Sequence, residues 1–265
     1  MSQRAENNYR LELYDDLDDI ITAMRNLAQV EMVRLEKAHK HQQTLFESSQ
    51  QALERFLFHF VSAMNPQASS GPNVLLVLGS ERGFCGGFNE QIAQRFRELD
   101  LSDTDCILVI GSRLANKLSD HNDITALSAA VGIDESLPVM QSITDKLLQH
   151  GLPQRISLLY HDRSEVQLTQ LLPLDPSSQN SNSLDINLPP EALFAELQWQ
   201  HLQQGLMLYL TKSLHTENRW RLQQMEGARD HLEELSLTLR KRINAQRQQQ
   251  IVEEIEVILS DQTFE

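Results

Sequence analysis

Cysteine is scarce in this chain of 265 residues: there are two, Cys85 and Cys106. A disulfide framework is therefore excluded, and apolar or glycine-rich surroundings at both positions point to reduced thiols in a cytosolic compartment. Basic residues are also short, 23 Lys and Arg against 37 Asp and Glu, giving a net charge of -14. That balance repels the phosphates of nucleic acid and of anionic lipid, and no local basic patch offsets it, so a nucleic-acid partner is excluded. Long apolar runs are missing too. None approaches the roughly 18 residues needed to cross a bilayer, and residues 1–10 are polar with no apolar signal core. The chain is not expected to span a membrane itself, which leaves open a place on a membrane complex. Finally, residues 191–259 contain no proline and only two glycines, Gly205 and Gly227. That stretch is rich in Leu, Gln, Glu and Arg, and as one helix it would run about 100 Å at about 1.5 Å per residue. No compact domain of this size buries such a rod, so it requires a second helix or a ring of other chains.

What is present is ordered along the chain. Over residues 13–60 the apolar positions advance by fours and threes: Leu13, Leu17, Ile20, Met24, Leu27, then Leu35, Ala38, Leu45, Ala52, Phe56 and Phe60. This is the seam of a coiled coil, interrupted by Glu31, Gln42 and Ser49; an ordinary amphipathic helix is the alternative, which the length disfavours. Prolines and small residues at 65–72 end the helix. Continuous apolar runs at 74–78 and 106–110 read as buried strands, and the helical spacing of 89–99 between them makes a parallel pair. A short amphipathic segment at 112–118, a weaker strand at 124–130, a helix at 137–150 and two strands at 156–160 and 166–172 complete an α/β domain over 73–174. Residues 175–190 are dense in Ser, Asn, Asp and Pro and read as an exposed, mobile loop. The second long helix follows, with a stripe through Leu193, Leu197, Leu202, Leu206, Tyr209 and Leu210 continued by Leu222, Met225, Leu232, Leu235, Leu239 and Ile243. Residues 240–250 are almost wholly polar and cannot be held by ordinary core packing.

The most motif-like stretch runs from Gly79 through Ser80, Glu81, Arg82, Gly83, Phe84, Cys85, Gly86, Gly87 and Phe88 to Asn89, between a strand and a helix. Backbone N–H groups at such a junction bind anions, but a P-loop ends in Gly-Lys-Ser/Thr, and neither that lysine nor that hydroxyl is here. A tight turn needing positive φ explains the glycines better. Cys85 at a helix start has the position of an activated thiol, yet no His, Asn or Asp partner can be assigned to it. The nine histidines are scattered, with His39 and His41 on different helix faces, so no metal site is expected. Asp15, Asp16, Asp18 and Asp19 lack the glycine and final glutamate of a calcium loop and read as helix-dipole complements in early turns. No cofactor is expected.

Taken together, the long first helix, the strand leading into a Gly-x-Cys-Gly-Gly-x-Asn turn and the long last helix resemble the gamma subunit of F-type ATP synthases. Ile21 to Met24 with Leu27 and Ala28 resembles the family's N-terminal motif, Ser80 to Asn89 its glycine turn, and Leu171 to Leu174 the end of its domain. Glu217, Arg221 and Met225, then Asn244, Arg247, Gln248, Ile251, Glu254 and Ile258, match its C-terminal signature in order and spacing. The resemblance implies an antiparallel coiled coil of helices 1–64 and 191–265, with a Rossmann-like α/β domain at 73–174 inserted between them and a loop at 175–190. It implies a non-catalytic rotor inside a ring of three alpha and three beta subunits, its foot against the epsilon subunit and the membrane c-ring. The complex would be peripheral on the cytoplasmic side of the bacterial inner membrane. By the same resemblance Met24, Arg247, Gln248 and Glu254 contact the ring, while Gly83, Cys85, Gly86, Gly87 and Asn89 form the signature turn. Val252 and Val257 depart from the family's threonine and glutamate, and the tail 260–265 from its small apolar end. The other function class weighed is a free-standing α/β small-molecule enzyme whose helices serve dimerisation.

Overall fold

The computed structural model describes residues 3–60, 71–121, 123–149, 153–163, 165–174 and 186–262. Two long helices, α1 (Gln3–Phe60) and α5 (Pro190–Gln262), bracket β1 (Asn73–Leu78), α2 (Phe88–Arg97), β2 (Cys106–Ile110), α3 (Ser112–Lys117), β3 (Ile124–Leu127), α4 (Ser136–Gln149), β4 (Arg155–Asp162) and β5 (Glu165–Leu172). The expected strand over 124–130 thus stops three residues early. The helix ending expected at 61–64, most of the break at 65–72, the loop at 175–185 and the last three residues lie outside the described residues. The chain forms two compact units, Gln29–Arg221 on the one hand and Met1–Ala28 with Leu222–Glu265 on the other.

In the unit Gln29–Arg221 the strands lie in the order β3-β2-β1-β4-β5. The first four are parallel and β5 returns antiparallel beside β4. The apolar runs are continuous because both faces of the sheet are covered. Leu75, Val77 and Val109 meet Phe88, Ile92 and Phe96 of α2 and Leu114 of α3 on one face. On the other, Leu76, Leu108 and Leu158 belong to a cluster with Ile143 of α4, Leu35 of α1 and Leu202, Leu206 and Leu210 of α5. Most of α5 from His201 to Asn218 is buried. Gly205 is placed where a Cβ would stand 2.4 Å from Leu171 and 3.1 Å from Phe46, so its absence lets the helix pass between hairpin and α1. Phe46 stacks on His201 at 4.8 Å and Phe56 on Phe194 at 5.8 Å between ring centroids.

In the second unit the two helical segments pair in opposite directions: Asn7 with Gln246 at 3.1 Å, Asp15 with Arg240 at 3.6 Å and Asp18 with Arg229 at 3.4 Å. These pairs correct the reading of the acidic cluster, since α1 begins at Gln3 and its dipole end lies several turns upstream. The seam is corrected over residues 13–27, while Leu35 and Phe56, also expected on it, are fully buried. Leu13, Leu17, Ile20 and Leu27 are exposed, at 44, 38, 56 and 58%. The inward positions are one residue on, Tyr14, Asp18, Ile21, Arg25 and Ala28, and farther along α1 in the first unit Leu53 replaces the expected Ala52. Both stripes satisfy a four-three spacing, and the one turned inward is the less apolar. On α5 the inward positions are Leu222, Met225, Arg229, Leu232, Ser236, Leu239 and Ile243, with Leu235 turned outward.

Candidate functional site

In an open α/β sheet the usual ligand crevice lies beyond the carboxyl ends of the strands, where the winding reverses. Here that point is between β1 and β4, since β2 and β3 extend to one side of β1 and β4 with β5 to the other. The glycine turn leaves β1 at this place, His161 stands near the end of β4, and α5 fills the space between.

The turn is closed by its own hydrogen bonds. Asn89 Oδ1 accepts the Ser80 N–H at 3.0 Å, and its amide nitrogen donates to Ser80 Oγ at 2.7 Å and to Cys85 Sγ at 3.6 Å. Ser80 Oγ donates in turn to the Arg82 carbonyl at 2.9 Å. Gly79 N–H is spent on Ile110 O at 2.7 Å and Phe88 N–H on Cys85 O at 3.2 Å. Three backbone donors at the edges of the turn, those of Gly79, Ser80 and Phe88, are therefore engaged within the protein. Positive φ falls at Gly86, 54°, and at the exposed Phe84, 61°, so the turn chemistry inferred for the glycines holds at Gly86. Glu81 accepts from the N–H groups of Ser112 at 3.0 Å and Ala129 at 2.9 Å. Burial works to raise its pKa, but those backbone donors outweigh it and the net displacement is downward.

Cys85 is 4% exposed. Burial pushes its thiol up, with the Ser80 hydrogen bond pulling only partly back, which is the reverse of an activated nucleophile. From α5, Glu217, Asn218 and Arg221 enter the same region, each at most 5% exposed. Arg221 bonds Glu217, donates from Nη1 to Asn218 Oδ1 at 2.9 Å, and places Nε 3.5 Å from the Gly83 carbonyl. Burial raises Glu217 to about 7, against the pull of Arg221. Trp220 covers the rest: its ring edge would meet a Cβ on Gly87 at 3.8 Å, and it sits edge-on to His161 at 5.4 Å, which itself stacks on Phe88 at 5.1 Å.

The structure thus joins Gly83, Cys85, Gly86, Gly87 and Asn89 to Glu217 and Arg221, two segments more than 100 residues apart that the sequence treated as separate signatures. Ser80, quoted at the start of the motif, belongs to the same assembly, as do His161 and Trp220, which were not singled out. The available signal was Glu217 and Arg221, charges four apart in a helix otherwise reading as core. Met24, Arg247, Gln248 and Glu254 fall in the other unit, Met24 half-buried and the other three exposed. A groove of about 820 Å³ lined by His39, Asp162, Arg163, Lys212, His215 and Arg219 carries both signs of charge, and Lys212 is already paired with Asp162 at 2.7 Å. Among the described residues no group of His, Cys, Asp and Glu could hold a metal, and no helix is long and apolar enough to cross a membrane.

A family model described as ATP synthase matches residues 5–262. The ATP synthase gamma chain of Amoebophilus asiaticus is 30% identical over 203 residues, 69% of each chain. That of Anaeromyxobacter sp. (strain Fw109-5) is 26% identical over 205 residues, 70% of each. That of Clostridium perfringens is 24% identical over 251 residues, 86% of this chain and 88% of its own. Among solved structures, a chain of the Tetrahymena thermophila mitochondrial ATP synthase central stalk/c-ring is similar with TM-score 0.54 and 16% identity, covering 79% of this chain and 99% of that one. A chain of the Euglena gracilis mitochondrial ATP synthase OSCP/F1/c-ring structure gives 0.52 and 12%, covering 91% and 94%.

Proposed function

The chain belongs to the ATP synthase gamma-chain family, and from that premise we propose that it is the rotor shaft of an ion-translocating ATP synthase or ATPase. The observation that carries the reading is the family match over residues 5–262, which takes in both long helices and the sheet. The subunit is non-catalytic. It passes torque between a membrane c-ring driven by ion flow and a hexamer of three alpha and three beta subunits, with an epsilon subunit at its foot. Membrane association comes through the complex, on the cytoplasmic side of a bacterial inner membrane. The enzyme alternative is not supported, and the crevice that would have served it is filled by Trp220 and Arg221.

Several features favour the finer points. The opposed pairs 7–246, 15–240 and 18–229 and the four-three spacing of buried positions are those of an antiparallel coiled coil. The strand order of the sheet is that of a Rossmann-like fold with an added antiparallel edge. In this reading 1–64 and 191–265 are the shaft, 73–174 the foot and 175–190 their connection. Arg247, Gln248 and Glu254 supply polar contacts to the inner surface of the ring, consistent with their exposure, and Met24 faces the moving beta domains. A rotor shifts the conformation of each catalytic site only through contacts that differ between those conformations. Co-expression with candidate alpha and beta subunits is expected to yield a complex that hydrolyses ATP, and addition of the epsilon and membrane subunits one whose hydrolysis drives ion transport in vesicles. Failure to co-purify with any hexamer, together with substrate turnover by the chain alone, would sink the rotor reading.

A further inference from the structure

We propose that Arg221, held by Glu217 and Asn218, is a positioning residue that keys α5 to the α/β fold, so that the helix cannot roll against the sheet; the proposal rests on the rotor reading. The need for such a key follows from the packing. From Leu202 to Leu214 α5 meets the sheet through Leu side chains and Tyr209. Apolar contact is non-directional: it opposes separation strongly and rolling weakly. The polar side chains on this stretch mostly turn back on their own helix, Thr211 to the Met207 carbonyl at 2.7 Å, Thr216 to Lys212 at 3.1 Å and Asn218 to Leu214 at 2.9 Å. Lys212 reaches Asp162, but that pair is more than a quarter exposed on both sides and rides on a flexible stem.

Arg221 differs in each respect. Its guanidinium is planar and always charged, and two of its three nitrogens are fixed by residues one turn back on the same helix. The third points at the Gly83 carbonyl, in a turn that is itself tied to β1 through Ser80 and Asn89 and to the β2–α3 junction through Glu81. The arm is rigid at both ends. Trp220, the preceding residue, wedges against Gly87 and His161. Rotation of α5 about its axis would have to withdraw both side chains from the crevice. The site in which related architectures hold a ligand is used here to hold the protein's own helix.

The test uses the assembled complex in vesicles, with ion transport per ATP hydrolysed and hydrogen exchange of the bonded turn amides of Ser80 and Phe88 as separate readouts. Arg221→Met is expected to raise exchange in the turn at least tenfold while β1 and β2 stay protected, and to lower transport per ATP at least twofold. The reversed pair E217R/R221E restores an ion pair at the same spacing but leaves no donor for the Gly83 carbonyl. Its melting temperature should recover while transport per ATP stays low. Recovery of transport by the reversed pair, or an unchanged ratio in Arg221→Met, overturns the proposal and leaves the pair a stabilising one only. If Arg221→Met does not assemble, Arg221→Lys, which keeps the charge and loses the fork, carries the same comparison. A wild-type complex that hydrolyses ATP without transport would refute the rotor reading, and the exchange data would still judge the key.

Discussion

Between His201 and Asn218 α5 is buried around most of its circumference, whereas beyond Leu222, among the described side chains, it sinks only Met225, Leu232 and Leu239 fully, at one position in seven. The same helix is held by two different means. In the unit Gln29–Arg221 it lies within a core fed by the sheet, α1 and α4. In the unit Met1–Ala28 with Leu222–Glu265 it has a thin seam, a few exposed ion pairs, and a large share of apolar surface left facing outward. The first arrangement fixes a position; the second leaves surface available to something else.

The contrast is sharpest for matched truncations. Leu206→Ala, at a side chain 1% exposed, should cost about 3 kcal/mol, while Leu232→Ala, at 8% on a seam open to solvent, should cost about 1 kcal/mol because the gap can collapse. Thermal or denaturant unfolding of the purified variants checks this, and equal costs would erase the distinction between units. Acid should act on the first unit selectively. His201, stacked on Phe46 and 3.2 Å from Ser49 Oγ, is held down at about 4 by burial, which outweighs the upward pull of Leu171's backbone and Glu54. A depressed histidine contributes stability fully present above its unfolded pKa of about 6.5 and lost as pH falls toward the folded value, so between pH 7 and 5 about 2 kcal/mol should go. Hydrogen exchange along α5 at the two pH values would show the loss over 193–218, and His201→Gln should flatten it.

One substitution should change sign between the units. At Gly205 an added methyl meets Leu171 and Phe46, and Gly205→Ala should destabilise by about 1 kcal/mol after its gain in helix propensity. At Gly227 nothing lies within 4 Å, and Gly227→Ala should stabilise by about 0.5–1 kcal/mol. Melting temperatures moving in the same direction would contradict the packing assigned to one of them. The smallest effect belongs to Asp15 and Asp18, whose pairs with Arg240 and Arg229 are about half exposed. Asp18→Asn should cost less than about 0.5 kcal/mol, and that cost should vanish in 1 M salt.

Most of the sheet was legible because continuous apolar runs such as 74–78 and 106–110 admit few readings once helical spacing separates them. The long helices were legible from length and the missing prolines. The face that α1 turns inward over residues 13–28 was not, although Leu35 and Phe56 farther along were. Leu13, Leu17, Ile20 and Leu27 make the better apolar stripe, and a rule that buries the more apolar side fails here, where that side faces outward. Nor could the union of the glycine turn with Glu217 and Arg221 be read, since hydrophobic pattern says nothing of which two distant polar segments meet. Burial on both sides of α5 was hidden because the stripe through Leu202, Leu206 and Tyr209 marks one face, while buried positions outside it are polar, Thr211, Ser213 and Thr216 among them.

The outward ridge of Leu13, Leu17, Ile20 and Leu27 bears on supply. A copy synthesised ahead of whatever covers that ridge would present contiguous apolar side chains to the cell, and other surplus copies would be the nearest cover. Such orphans should aggregate or be degraded, so the amount of this chain that persists would be set by the abundance of what encloses it rather than by its own rate of synthesis.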